Sequence, residues 1–156
     1  MITSDGCVVV PAGAGRAVKG AAGAATVMKV DGLETGDLLA AFEQVAPAGS
    51  CPPLHIHHDC AETFYVLVGE FKVEVGSELT TGSTGTFVFI PKGVPHKYMN
   101  IGTEAGRVLF WFNPAARMAG YFEELATFGS EQPRGQELDD IASRHGVEIV
   151  RGSSGG

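Results

Sequence analysis

The chain has 156 residues, 44% hydrophobic and 19% charged, a length and composition that suit one globular domain burying its own core without staples. Its formal net charge of -7, with no lysine or arginine cluster, argues against nucleic acid or an anionic membrane as partner, because phosphate binding needs a cationic face. The opening MITSDGCVVV lacks the positive region and apolar core of a signal peptide, and no apolar run could span a bilayer, so the chain is read as cytoplasmic.

In chain order, a short apolar run from Val8 to Val10 ends at Pro11. The following PAGAGRAVKGAAGAA invites a phosphate-loop reading and fails it: Val18 stands where a third dinucleotide-motif glycine would fall, and no Gly-Lys-Ser/Thr follows. A loop between strands is expected there. Ala25 to Val30 and residues 37–46 read as strands separated by the turn signal DGLETG. In the second, Leu38, Ala40, Phe42 and Gln44 share one face, and Leu39, Ala41, Glu43 and Val45 the other. Both faces are partly apolar, which suits a strand that lines a barrel on one side and meets a second layer or a subunit on the other. An inward Gln44 needs a hydrogen-bond partner, and a neighbouring backbone group is favoured over a ligand.

Cys7, Cys51 and Cys60 are an odd count without paired spacing, against a disulfide framework and for a reducing compartment. Cys51 and Cys60 are read as small buried hydrophobes rather than as a nucleophile or thiolate ligand. Between them and just beyond lies the densest chemistry of the chain. His55 and His57 are two apart, so an extended strand sends both imidazoles to one face, and Glu62 follows after an interval long enough for a bend that returns a carboxylate to the same point. Apart from His58, which adjoins the pair, His96 is the other histidine of the central region. Three imidazoles and a carboxylate suit one divalent transition metal, Fe, Mn, Ni, Co, Cu or Zn, with Glu62 also the candidate catalytic residue. His58 has the opposite parity and is expected to be exposed or to support a ligand from behind. Lys97 points away from His96 by the same rule.

Strands are expected at Thr63 to Val68, with Phe64, Val66 and Val68 on the face of Glu62, and at Phe71 to Val75, Phe87 to Ile90, Lys97 to Asn100 and Arg107 to Phe112. So many short strands indicate an antiparallel sandwich or barrel. Tyr98 and Asn100 share the parity of His96, and Val108, Phe110 and Phe112 are candidates for the lining. From Pro114 the period becomes helical: PAARMAGYFEELATF places Met118, Tyr121, Phe122 and Leu125 on one face and stops at Gly129. A second helix is expected from about Gln136 to His145, with His145 in its last turn and not a ligand. The division expected for this single domain is 1–36 as strands and loop completing the barrel, 37–113 as barrel core, 114–150 as helical segment and 151–156 as mobile tail.

Four protein ligands leave up to two positions open on a six-coordinate ion, the condition for a catalytic rather than a closed structural site. The expected pocket around it, Phe42, Gln44, Phe64, Val66, Tyr98, Phe110 and Phe112, with Phe87 or Phe89, suits a small apolar or phenolic organic substrate with an oxygen donor.

The stretches GSCPPLHIHHDCAETFYVLVG and GTFVFIPKGVPHKYMN resemble the two motifs of the cupin family, through Gly49, His55, His57, Glu62 and Gly69 in the first and Gly85, Pro91, Gly93, His96 and Asn100 in the second. The resemblance implies an all-β jelly-roll barrel, here with one or two C-terminal helices, that holds its metal through His55, His57, Glu62 and His96. HIHHDCAETFYVLVGEF, FVFIPKGVPHKYMN and the following FEEL further resemble the small single-domain cupins called quercetin-dioxygenase-like. That likeness implies a metal-dependent dioxygenase acting on an enolic or phenolic molecule. A metal-assisted isomerase, cyclase or lyase tailoring a natural product is the alternative, and a non-enzymatic small-molecule-binding cupin the third reading. Cupins commonly dimerise, so a homodimer is expected. The helical segment either lids the barrel mouth or packs outside a sheet.

Overall fold

A computed structural model describes residues 1–152. Its strands are β1 (Arg16–Lys19), β2 (Ala25–Val30), β3 (Ala40–Ala46), β4 (His55–His57), β5 (Ala61–Val68), β6 (Glu70–Val75), β7 (Glu78–Ser83), β8 (Phe87–Ile90), β9 (His96–Asn100), β10 (Gly106–Asn113) and β11 (Val147–Ile149). Three α-helices join them among the described residues: α1 (Gly32–Thr35), α2 (Met118–Ala126) and α3 (Gly135–Arg144). The strands form two antiparallel sheets, ordered β1-β2-β3-β10-β5-β8 and β11-β4-β9-β6-β7. They enclose a jelly-roll barrel, the expected fold.

Strand parity builds the core. Register places Phe42 opposite Phe110 and Phe110 opposite Phe64, so three aromatic rings share one level of the barrel, each at most 2% exposed. Phe42 and Phe110 stack with centroids 5.3 Å apart. Val66 and Val108, paired one level over, and Val73 and Phe71 on the other sheet are equally buried. Each such side chain contributes roughly 1.5–3 kcal/mol of hydrophobic stabilisation.

Several boundaries differ from the sequence reading. The glycine- and alanine-rich stretch is not all loop: β1 forms within it and pairs with β2. The predicted strand over 37–46 starts only at Ala40, leaving Leu38 72% exposed. DGLETG is a helical turn. The Asp31 carboxylate accepts from the Leu33 and Glu34 N–H groups at 2.9 and 3.1 Å, while Glu34 accepts from the Asp31 N–H at 3.0 Å. This reciprocal box explains why so short a helix forms. The polar ELTTGS forms β7 as the hairpin partner of β6. Of the predicted tail, Arg151 is tied to Asp139 at 2.6 Å, and residues 153–156 lie outside the described residues.

Both C-terminal helices are present. α2 buries Met118, Tyr121, Phe122 and Leu125 against the barrel, the stripe its spacing predicts. α3 buries Leu138, Ile141 and Ala142. Beyond it the chain turns back as β11, which pairs with β4 and so lies beside the histidines.

Candidate metal centre

His55 and His57 sit on β4, which pairs with β9 through His55 and His96. Glu62 arrives from the other sheet, on β5, after the bend at His58–Asp59. A turn at Pro91–Val94 sets the end of β9 against β4. Gly93 takes φ +85°, which a side chain rarely tolerates, and its N–H donates to the His57 carbonyl at 2.8 Å. That bond joins the two motifs directly. Gly69 shares the constraint at φ +108° and adds a second, since a Cβ there would lie 3.1 Å from the Gly106 Cα, a tight approach of β5 to β10.

One ligand-type atom from each of His55, His57, Glu62 and His96 lies within 4.8 Å of the others. His57, Glu62 and His96 are buried and His55 is partly so. The predicted ligand set is therefore assembled.

The ring orientations are fixed by a device used twice. His55 Nδ1 lies 2.8 Å from the Pro53 carbonyl oxygen, and His96 Nδ1 lies 2.9 Å from that of Val94. A carbonyl only accepts, so each Nδ1 carries a hydrogen. That leaves His55 Nε2 as a lone pair, whereas His96 Nε2, hydrogen-bonded to the Glu62 carboxylate, carries a second hydrogen that a cation would replace. Glu62 Oε2 stands 2.6 Å from His96 Nε2 and 3.0 Å from His57 Nε2. The second contact is not aligned as a hydrogen bond, and neither ring nitrogen of His57 has a partner. A carboxylate oxygen facing imidazole lone pairs is repulsive unless positive charge lies between them, as a proton on His96 or a cation.

The titration shifts follow. Burial alone would raise the Glu62 carboxyl, but His96 and His57 outweigh it and hold it well below the usual carboxylate range. For His96, burial acts to lower basicity and Glu62 more than reverses it. His55 falls to about 3 through burial, aided by His96 and His57. An ionised Glu62 and a neutral His55 are the states a divalent ion requires. With buried, unpartnered nitrogens and a mixed nitrogen and oxygen donor set, these residues fit one first-row divalent metal.

The centre opens into a chamber of about 40 Å³, lined by His55, His57 and Glu62, by Tyr98, Gln44, Phe110 and Phe112, and by Pro52, Pro53, Ala21, Tyr121, Phe122 and Ile149. Of the expected pocket, Gln44, Tyr98, Phe110 and Phe112 are thus in the wall. Phe42, Phe64 and Val66 are packed behind it in the core, at most 1% exposed. Phe87 and Phe89 are not in the pocket: register pairs Glu62 with Ile90 and Phe64 with Val88, which turns both phenylalanines outward, 60% and 58% exposed. Tyr121 and Phe122 place α2 over the chamber, the lid alternative. Pro52, Pro53 and Ile149 had no signal beyond nearness to the histidines or to the chain end.

Gln44 also departs from expectation. Its partners are side chains, the Tyr98 hydroxyl and Thr26 Oγ1, not backbone. Burial pushes the Tyr98 phenol above its ordinary value, so it stays protonated. His58 is half-exposed and paired with Glu148 at 2.7 Å, Lys97 pairs with Glu74, and His145 with Glu124 at 2.7 Å. Cys60 is buried, and its thiol is pushed up to about 12 by burial and by Glu62 and Asp59, which makes it a poor nucleophile. Cys51 is half-buried.

Residues 41–112 match the Cupin domain family. The chain is 34% identical over 97 residues to an oxalate oxidase, GF-3.8, of Triticum aestivum, covering 56% of this chain and 42% of that one. It is 35% identical over 127 residues to germin-like protein subfamily 2 member 2 of Arabidopsis thaliana, covering 76% and 53%. It thus spans about half the length of these curated relatives. An RmlC-like cupin from Shewanella frigidimarina superposes with a TM-score of 0.60 at 21% identity, over 72% of this chain and 96% of that one, a likeness of fold.

Proposed function

The chain carries a cupin domain over residues 41–112 in a jelly-roll fold, and from that premise we propose that it is a metal-dependent oxidoreductase, a dioxygenase of the quercetin-dioxygenase-like kind acting on an enolic or phenolic molecule. The observation that carries the reading is the convergence of His55, His57, Glu62 and His96 within 4.8 Å at the head of an aromatic-lined chamber. Similarity to an oxalate oxidase supports oxidation as the reaction class.

A bound divalent ion would polarise a substrate oxygen and lower its pKa and, if redox-active, bring it together with dioxygen. The three histidines would hold that ion, with His55 and His96 pre-oriented by their bonds to Pro53 and Val94. Glu62 supplies the charge-balancing carboxylate, and its Oε2 is a buried base placed to take a substrate proton. Phe110, Phe112 and Phe122 exclude water. The chamber is small, about 40 Å³, and takes the oxygen-bearing head of the substrate. The body extends into an adjoining cavity of about 270 Å³ that shares Ala21, Gln44, Pro52 and Tyr98. The protein works in the cytoplasm, and a homodimer is its proposed assembly.

The test is elemental analysis of protein purified without added metal, repeated on His57→Ala, followed by dioxygen uptake with enolic and phenolic substrates. One metal per chain, lost on substitution, with substrate-dependent uptake is the expected result. Turnover without dioxygen on the zinc-loaded protein would instead favour an isomerase, cyclase or lyase. A metal-free wild type would end the reading.

A further inference from the structure

Behind the metal centre, three buried polar side chains form a chain with a fixed direction. The Thr26 hydroxyl lies 2.9 Å from the Ala24 carbonyl oxygen, which can only accept, so Thr26 donates its one hydrogen there. Thr26 Oγ1 can then only accept, and it does so from Gln44 Nε2 at 2.9 Å. This sets the amide orientation: Gln44 Oε1 faces the other way and accepts from the Tyr98 hydroxyl. The amide is also confined, since a Cβ at Gly20 would collide with Gln44 Nε2. Thr26, Gln44 and Tyr98 are 2%, 5% and 8% exposed, and Gln44 and Tyr98 line the chamber.

Direction decides what the chamber can recognise. With its only hydrogen committed to Gln44, the Tyr98 oxygen offers the chamber lone pairs alone. The lining contains no lysine or arginine to balance a second anionic group on a ligand. At about 40 Å³, the chamber is small enough for a ligand head bound at the histidines to meet Tyr98 as well.

We propose that Tyr98 is a specificity-determining residue that selects ligands carrying a free hydroxyl beside their metal-binding oxygen, with Gln44 and Thr26 as positioning residues that keep Tyr98 an acceptor. The substrate class is therefore a hydroxy acid, enediol or hydroxyphenol head with at most one negative charge. A dicarboxylate such as oxalate is disfavoured, because its second carboxylate would meet an oxygen with no hydrogen to give. This rests on the metal-centre reading above and narrows its substrate.

The experiment is calorimetric titration of the zinc-loaded full chain with glycolate, acetate and oxalate, on wild type, Tyr98→Phe, Thr26→Val and Thr26→Ser, with zinc content measured on each. In wild type, glycolate should bind roughly fivefold tighter than acetate, the worth of one net hydrogen bond. Tyr98→Phe should abolish that advantage. Thr26→Val should release the amide and raise oxalate affinity relative to glycolate by roughly fivefold, and Thr26→Ser should restore the wild-type ratio. The proposal is overturned if Tyr98→Phe keeps the glycolate advantage, or if Thr26→Val leaves the oxalate-to-glycolate ratio unchanged while zinc content stays at one. Zinc below one per chain in wild type would overturn the metal reading itself, and this proposal with it.

Discussion

The two ends of β9 carry His96 and Asn100 on the same buried face, and the two residues do opposite work. His96 uses Nδ1 to fix its ring and sets Nε2 2.6 Å from the Glu62 carboxylate, where a proton holds the place that a cation can take. Asn100 commits everything to backbone: its amide donates to the Ala46 and Glu104 carbonyls at 2.8 and 2.9 Å, and its Oδ1 accepts from the Gly102 N–H at 2.9 Å. One end of the barrel keeps polar atoms unmatched for a ligand, and the other has none to spare. Two motif positions four residues apart thus divide into chemistry and architecture.

The sharpest way to break that contrast is His96→Ala. It should cost at least hundredfold in metal affinity, since even residues that only orient a ligand are worth ten- to hundredfold. Apo-state stability should also fall, because the buried Glu62 carboxylate loses the protonated His96 ring as its partner. Elemental analysis and urea unfolding of the metal-free protein read the two effects separately. Metal affinity that survives the substitution would remove His96 from the ligand set.

Asn100→Ala should leave the metal in place. It strips partners from three backbone groups around a side chain 1% exposed, at about 1 kcal/mol each, so unfolding free energy should drop by about 3 kcal/mol. Metal per folded chain should remain at one. A fall in stoichiometry without destabilisation would join the two ends after all.

How far this division can be read without coordinates depends on the residue. His55 and His57 are legible because strand period puts them on one face, and Glu62 because it follows at bend distance, whereas His96, Gly93 and Gly69 are legible through the resemblance to the two cupin motifs. Gln44 is legible only as an inward polar group: parity assigns a face, but its partners Tyr98 and Thr26 are fixed by how strands far apart in sequence meet. The FVFI of β8 is apolar on both faces, so its alternation carries no signal, and Phe87 and Phe89 could be placed outward only once Glu62 was paired with Ile90. β7 is a polar hairpin strand and β11 has three residues, too few for a period.

A control remote from both ends is Asp31, which caps α1 and pairs with Arg16 at 2.7 Å. Asp31→Ala should cost about 1 kcal/mol at neutral pH, read by thermal unfolding, with metal content untouched. Burial would raise the Asp31 carboxyl, but Arg16 and the Glu34 and Leu33 N–H groups together hold it below its usual value. A carboxyl depressed in the folded state stabilises fully above its unfolded value, near 4, and loses that contribution as pH falls through the folded one. The wild-type advantage over Asp31→Ala should thus be constant above about pH 5 and shrink below about pH 4.

The smallest effect tests the outer face of the sheet that supplies Glu62. Phe87 is 60% exposed and touches Trp111 edge-on at 6.4 Å between centroids, while Tyr65 and Phe89 lie exposed on the same side. If that face is solvated, Phe87→Ser should shift monomer stability by no more than about 0.5 kcal/mol, as surface substitutions do. Sedimentation of the same variant gives the informative reading. In the proposed homodimer, a dimer held through this face should dissociate on losing Phe87, and a dimer held elsewhere should not. Inner-face phenylalanines such as Phe110 allow no such separation, because their loss opens a cavity whatever the assembly.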